Sequence, residues 1–463
     1  MERKNAWAAY AEDDSKVEAF AKAYCDFINN GKTERECVAY GEKLAKAHGF
    51  EDLNAAVRSG KKLTAGARVY ANWMGKSFML FVLGEKPLEE GMNILGAHID
   101  SPRIDVKQNP LYEDTDLAYL DTHYYGGIKK YQWVAMPLAL HGVIIKKDGE
   151  KVLVNIGEDE NDPVFCISDL LIHLAQEQMT KNAKDVVEGE ALNLIVGGRP
   201  LAGEEKDAVK ANVLKLLGDK YGVEEEDFLS AELEIVPAGK ARDMGFDRSM
   251  ILAYGHDDRV CAYPSMMAVL DYEGTPAYTL CCIVTDKEEI GSVGATGMAS
   301  HYLENTVAEL YACTADYCEL AVRRCLRNSR MLSSDVSAGY DPNFASAFEK
   351  KNSAFLGRGI CFNKFTGSRG KSGSNDANPE FMASLRKIMD DAGVAFQTAE
   401  LGRVDLGGGG TIAYLCAKYG MNVIDSGIAV LSMHAPYEVI SKVDLYEGYR
   451  CYCAFLKGAK PVD

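Results

Sequence analysis

Two adjacent glutamates, Glu288 and Glu289, stand in the run VTDKEEIGSVGATG at residues 284–297. The preceding AYTLCCIVTD is short, apolar and rich in β-formers, so it reads as a buried strand that delivers the pair at its end. Adjacent side chains at a strand end point in different directions. One glutamate can therefore hold a metal while its neighbour reaches the water bound to that metal. An isolated Glu-Glu is more often a solvated acidic turn. Here four other residues of ligand type share the setting: His98 in MNILGAHIDSP, Asp257 in MILAYGHDDRV, Asp335 in RMLSSDVSAG and His434 in IAVLSMHAPYE. Each falls just after a predicted strand, and open α/β sheets gather functional groups at the carboxyl ends of their strands. Two histidines and several carboxylates suit Zn²⁺, with Co²⁺ or Mn²⁺ compatible with the same ligand types. The ligand number predicts two ions about 3.5–4 Å apart with one carboxylate, Asp257, bridging them. His98 with Glu289 or Asp335 at one metal, and His434 at the other, leaves Glu288 as general base for the bridging water. Asp100, two residues beyond His98, is of the type that orients a ligating imidazole.

The elements that must position these residues follow from patterning. Residues 15–49 read as two helices, the second opened by Thr33 and Glu36 at capping-box spacing. RVYANWM and KSFMLFVLG form a hairpin around Gly75. From about 106 to 246 the pattern is dominated by β-strands: LAYLDTHYYGG, YQWVAMPLAL and HGVIIKKDGEKVLVNIGE, the last turning at Asp148-Gly149. Two helices are expected within this block, at 168–179 and 204–222. After 246 strands and helices alternate. An amphipathic helix follows Asp257, and one long helix covers TVAELYACTADYCELAVRRCLRNS. The last helix is capped by Ser441 with Asp444 at its third position. A β-rich block between α/β segments predicts an inserted domain. The division is therefore 1–105 with 247–463 as the catalytic domain, and 106–246 as the insert.

GAHIDSPR, GHDDRV, DKEEIGS, SSDVSAG and MHAPYE, in this order and spacing, resemble the aspartyl aminopeptidase family, which includes vacuolar aminopeptidase I. The resemblance covers essentially the whole chain, insert included. It implies a mixed α/β zinc-exopeptidase-type catalytic domain, a sheet flanked by helices, with a β-rich insert that makes subunit contacts. It also implies two zinc ions per subunit and a homododecamer built from dimers. Carried over residue by residue, His98, Asp257, Glu289, Asp335 and His434 become metal ligands with Asp257 bridging. Glu288 becomes the base, and Asp100 orients His98. The stretch LLIHL resembles a family segment whose histidine, here His173, reaches substrate in a neighbouring subunit. After Asp335 the family's commoner members carry histidines where this chain has Ala338 and Asp341, and HYYGGIKKYQW lacks the usual Trp and Arg downstream. These departures bear on the preferred N-terminal residue, and leave the metal set intact.

Composition narrows the field. The 463 residues suffice for two or three domains. A formal charge of −17 excludes a broad nucleic-acid or anionic-membrane surface. No apolar run approaches the roughly 20 residues of a membrane span. Thirteen cysteines form no CxxC pair and lie mostly in apolar stretches. With an amino terminus that lacks an apolar signal core, they predict a reducing, cytoplasmic location. GSVGATG spaces its glycines as GxxGxxG and lacks an acidic ribose partner, so it reads as close packing beside the metal turn. The glycine-rich TGSRGKSGSND, with Arg369 and Lys371, reads as a mobile loop. The leading function is a metallo-aminopeptidase that removes N-terminal residues from peptides. A carboxypeptidase or small-amide deacylase would use similar metals, and a non-catalytic assembly protein would have no need of buried paired carboxylates.

Overall fold

A computed structural model describes residues 4–368 and 370–462; Arg369 lies outside them. Its contacts divide the chain into two units. One comprises Met1–Asp100, Ala241–Met433 and Glu438–Asp463, and the other Ser101–Lys240 with His434–Tyr437.

The first unit is built on a nine-stranded mixed sheet. At its centre Met92–His98 pairs in parallel with Thr279–Thr285 on one side and Arg330–Ser334 on the other. Arg330–Ser334 continues in parallel to Asn422–Gly427. Every residue of Met92–His98 is buried, as expected of a strand covered on both faces. Alternate side chains feed two cores. Leu95, Ala97, Cys282 and Leu332 pack with the helices Ser15–Asn30, Glu34–Ala47 and Lys442–Gly458. Ile94, Cys281, Ile283 and Met331 face Leu53–Ser59, Tyr302–Thr314 and Glu319–Arg327. A five-stranded sheet completes this unit, with Met250–Ala253 antiparallel to Glu438–Ser441.

The hairpin Arg68–Trp73/Ser77–Val82 and the Thr33–Glu36 capping box form as the sequence predicts. Other elements differ. The helix after Asp257, His256–Leu270, is buried all round except at Met267, so it is a core helix and not an amphipathic one. The expected long helix is two, Tyr302–Thr314 and Glu319–Arg327, parted at Ala315–Cys318. Ser441 precedes the last helix without a side-chain capping bond, and Asp444 instead accepts the N–H groups of Gly357 and Gly359, each at 2.6 Å. A buried carboxylate serving another loop is unavailable as a cap.

The second unit is a six-stranded antiparallel sheet: Lys151–Ile156, Leu138–Ile145, Ala231–Pro237, Arg103–Asp114, Leu117–Tyr125 and Leu194–Gly197, in that spatial order. The helix Ala208–Tyr221 falls within the predicted 204–222. Residues 168–179 form no α-helix: an irregular stretch and turns at 172–177 lead into the 3-10 turn Gln178–Thr180, with Leu170, Leu171, Ile172 and Leu174 exposed. An apolar face with nothing to cover it cannot offset the cost of ordering a helix. YQWV likewise is no strand: the 3-10 turn Lys130–Gln132 and a bend precede the strand that begins at Leu138. Among the described residues, no helix is long and apolar enough to cross a membrane.

Candidate metal centre

The parallel pairing fixes where the first ligands stand. Thr285 lies directly beside His98, and Ser333 beside Gly96, so three strands end at one edge of the sheet. His98 closes its own strand. Glu288 and Glu289 open a 3-10 turn three residues beyond Thr285, and Asp335 follows Ser334. Gly427 lets Asp335 come this close: a Cβ there would stand 1.7 Å from the Asp335 carbonyl oxygen. Asp335 also donates its N–H to Ser426 at 3.0 Å.

Asp257 arrives differently. The strand before it, Met250–Ala253, belongs to the five-stranded sheet and not to the main one. Asp257 and Asp258, joined by a cis peptide, have non-helical angles at the start of their helix. The Asp257 N–H donates to Glu438 Oε2 at 3.0 Å. Two buried contacts tie this helix to the end of the His98 strand. Arg259 Nε donates to the Ile99 carbonyl at 3.2 Å, and Asp258 Oδ2 accepts the His98 N–H at 3.4 Å.

At the centre, His98 Nε2 stands 3.1 Å from Asp257 Oδ1, 3.9 Å from Asp335 Oδ1 and 4.0 Å from Glu288 Oε2. Its other nitrogen, Nδ1, lies 3.0 Å from the Asp100 carbonyl oxygen and 3.4 Å from Asp100 Oδ1. An Nδ1–H donated to that carbonyl would leave Nε2, on the carboxylate side, free to ligate a metal ion. Asp100 has a second task that the sequence did not disclose. Its Oδ1 accepts the Glu288 N–H at 3.1 Å and its Oδ2 the Glu289 N–H at 3.2 Å. One buried carboxylate thus holds the imidazole and the glutamate turn together.

Ligand-type atoms within 4.8 Å of one another form three groups in this unit: His98–Asp257–Glu289, His98–Glu288–Asp335 and Asp257–Asp258–Asp335. His98, Asp257 and Asp335 each occur in two of them. Crowded negative charge shows in the acidities. Burial, with the charges of Glu288 and Asp257, pushes Asp335 well above the carboxylate range. Burial likewise raises Asp258 to about 8, the Asp257 charge adding to it. Burial lowers the affinity of His98 for a proton, but the Asp100 and Asp257 carboxylates outweigh it and leave the ring well above its ordinary value. A ring nitrogen and several carboxylates converging in a desolvated place fit a zinc ion, which takes N and O donors and relieves this repulsion.

Not every expected residue joins these groups. His434 lies three residues beyond the strand Ala429–Leu431 at φ 64°, in the second unit, with Nδ1 2.9 Å from the Gly127 carbonyl oxygen. Among the described residues it belongs to none of the three groups. His173, in the second unit, is exposed. Asp258 and Glu438 were given no role from the sequence, although GHDD and MHAPYE contain both. GSVGATG packs as the glycine spacing implied: a Cβ at Gly297 would meet the Ser292 carbonyl oxygen at 2.2 Å, and Trp73 Nε1 donates to the Ala295 carbonyl at 2.8 Å. The next helix begins at Tyr302.

Residues 27–456 match the family model described as aminopeptidase I zinc metalloprotease (M18). The chain belongs to the M18 aminopeptidases. A relative from Clostridium acetobutylicum, described as a probable M18 family aminopeptidase 1, is 59% identical, covering 98% of this chain and 98% of the relative. The crystal structure of the M18 aminopeptidase from Thermotoga maritima superposes with a TM-score of 0.94 at 43% identity, covering 99% and 100% of the two chains. The yeast mApe1 dodecamer shares the fold at a TM-score of 0.75 and 22% identity, over 95% of this chain and 97% of that one. The M18 chain is thus a zinc-dependent aminopeptidase, a hydrolase, with the mixed α/β fold of its family.

Proposed function

We propose that this M18 aminopeptidase hydrolyses the N-terminal peptide bond with two zinc ions per subunit. The reading rests on one observation, the convergence of His98, Asp257, Glu288, Glu289 and Asp335 at the carboxyl edge of three strands. His98, Glu289 and Asp335 are the proposed ligands, and Asp257, on its motif, the shared one. His434 enters the ligand set on its motif alone. Zinc bound there supplies Lewis acidity toward the scissile carbonyl and makes a water molecule acidic enough to attack near neutral pH. Glu288 takes the proton of the attacking water on its carboxylate and passes it to the leaving amine. Its side chain is 16% exposed, as is that of Asp335, which leaves it room to exchange protons. Asp100 keeps the base and Glu289 in register by holding both backbone N–H groups.

Aminoacyl-anilides and N-blocked peptides, offered to the same zinc-analysed preparation, test this reading. Cleavage of the free-amine anilides with none of the blocked peptides is the expected outcome. Hydrolysis of blocked peptides at comparable rates would overturn the exopeptidase direction. The comparison across residue types also reads the N-terminal preference that Ala338 and Asp341 leave open.

The assembly proposed is a homo-oligomer, a dodecamer as in the yeast relative, joined through the β-rich unit. The aliphatic side chains of Leu170, Leu171, Ile172 and Leu174 support this, being 47–68% exposed in the residues flanking His173. His173 is proposed to reach substrate in a neighbouring subunit. His173→Ala should then lower kcat/KM without loss of zinc or of association. Mixed with Glu288→Gln subunits under exchange, it should regain activity, because a hybrid interface unites an intact histidine with an intact base. Mixed oligomers without recovered activity would remove His173 from the site. All thirteen cysteines are unbridged, in keeping with the proposed cytoplasmic location.

A further inference from the structure

A concavity of the first unit, about 710 Å³, opens beside Phe396–Thr398, the edge strand of the nine-stranded sheet. Lys350 and Lys351 reach it from a 3-10 turn, Arg358 from the loop that follows, and Arg386 from the helix Pro379–Ala392. Among the described residues, no acidic side chain lines it. Among the described residues, none of these four cations stands in an ion pair. That is unusual on a chain with 68 acidic and 51 basic residues. The next side chain along the same helix, Lys387, pairs with Asp391 at 2.6 Å. Four like charges sharing one opening repel one another, and an anion removes that cost.

The wall is built. Gln397, only 4% exposed, accepts the Phe355 N–H at 2.9 Å. Its amide nitrogen donates to the Phe355 and Gly359 carbonyls at 2.9 and 3.1 Å. The loop carrying Arg358 is thereby fastened to the edge strand. The Arg358 guanidinium lies over the Phe355 ring, 4.5 Å from its centroid, so the side chain is supported and partly pre-ordered. Guanidinium forks match phosphate oxygens, and ammonium groups add point charge. A chain of phosphates concentrates several negative charges within the span of one such opening, whereas an acidic peptide spreads the same charge along an extended backbone. None of the residues proposed to bind zinc or move protons lines this concavity.

We infer that this pocket binds a compact polyphosphate, either inorganic or the tail of a nucleotide. Calorimetric titration of inorganic tripolyphosphate into the zinc-loaded enzyme tests it, with adenosine triphosphate and tetraglutamate titrated alongside. Because polyphosphates also chelate zinc, the readout is the difference between the wild type and two surface variants, Arg386→Glu and Lys351→Glu. Each variant should bind about tenfold to a hundredfold more weakly, as expected when a charged hydrogen-bond partner is lost. Wild-type affinity should also fall as sodium chloride is added. Tighter binding of the nucleotide would assign the source to nucleotides, and equal binding to the phosphate chain alone; both keep the inference. Identical isotherms for the wild type and both variants would overturn it, and so would tetraglutamate binding as tightly as tripolyphosphate. The anilide assay reports separately on the zinc site, so failure of one reading leaves the other distinguishable.

Discussion

Glu288→Gln should retain its zinc and its fold while kcat falls by about 10²–10⁴-fold, the usual worth of a general base. The substitution keeps size and one acceptor oxygen but removes the ability to hold a proton. Glu288 Oε2 also lies 4.0 Å from His98 Nε2 and groups with Asp335, so a ligand role is the competing assignment. Metal analysis separates the two. A base leaves the zinc content of the variant unchanged with KM near normal, whereas a ligand takes an ion with it. Near-normal turnover in the fully loaded variant would sink the proton-transfer role.

Asp257→Ala is expected to lose both zinc ions and all measurable activity, because the shared ligand serves each of them. His434→Ala should lose one. The thermal signature is the sharper measurement. An ion that binds only the native chain stabilises it by roughly 4 kcal/mol when present at 1,000 times its Kd. Chelation of the wild type should therefore lower Tm by several degrees and zinc should restore it. The Asp257→Ala protein should melt at one temperature with or without zinc. Retention of two ions per chain by this variant would place the bridge elsewhere.

The sequence disclosed the site best where strand logic applied. His98, Glu288, Glu289 and Asp335 each end or closely follow a strand of one parallel set, and a short apolar run with a polar stop marks such ends. Asp257 follows a strand too, but of a different sheet, and which sheet a strand joins is decided by partners far away in the chain. His434 was expected at a strand end, yet the strand stops at Leu431 and the chain turns through positive φ at Ser432 and His434. The double duty of Asp100 was invisible because its partners are backbone N–H groups 188 and 189 residues away. LLIHLAQEQM misled for the opposite reason. Its periodicity is helical, but a periodic apolar face predicts a helix only where something stands ready to bury it. Asp444 shows the same dependence, since capping spacing is local while its actual acceptor role is set by the loop at Gly357 and Gly359.

The central position of Met92–His98 carries a consequence for biosynthesis. This strand leaves the ribosome early, while the strands that flank it begin only at Thr279 and Arg330. Between them the Ser101–Lys240 part of the second unit must be made. Throughout that interval a largely apolar segment, with both hydrogen-bonding edges open, has no native neighbour to pair with. Early-made, late-paired strands of this kind are exposed to aggregation and to slow, non-local closure. Zinc can select the finished subunit but cannot shorten the wait, because its ligands assemble only after the last of those strands arrives.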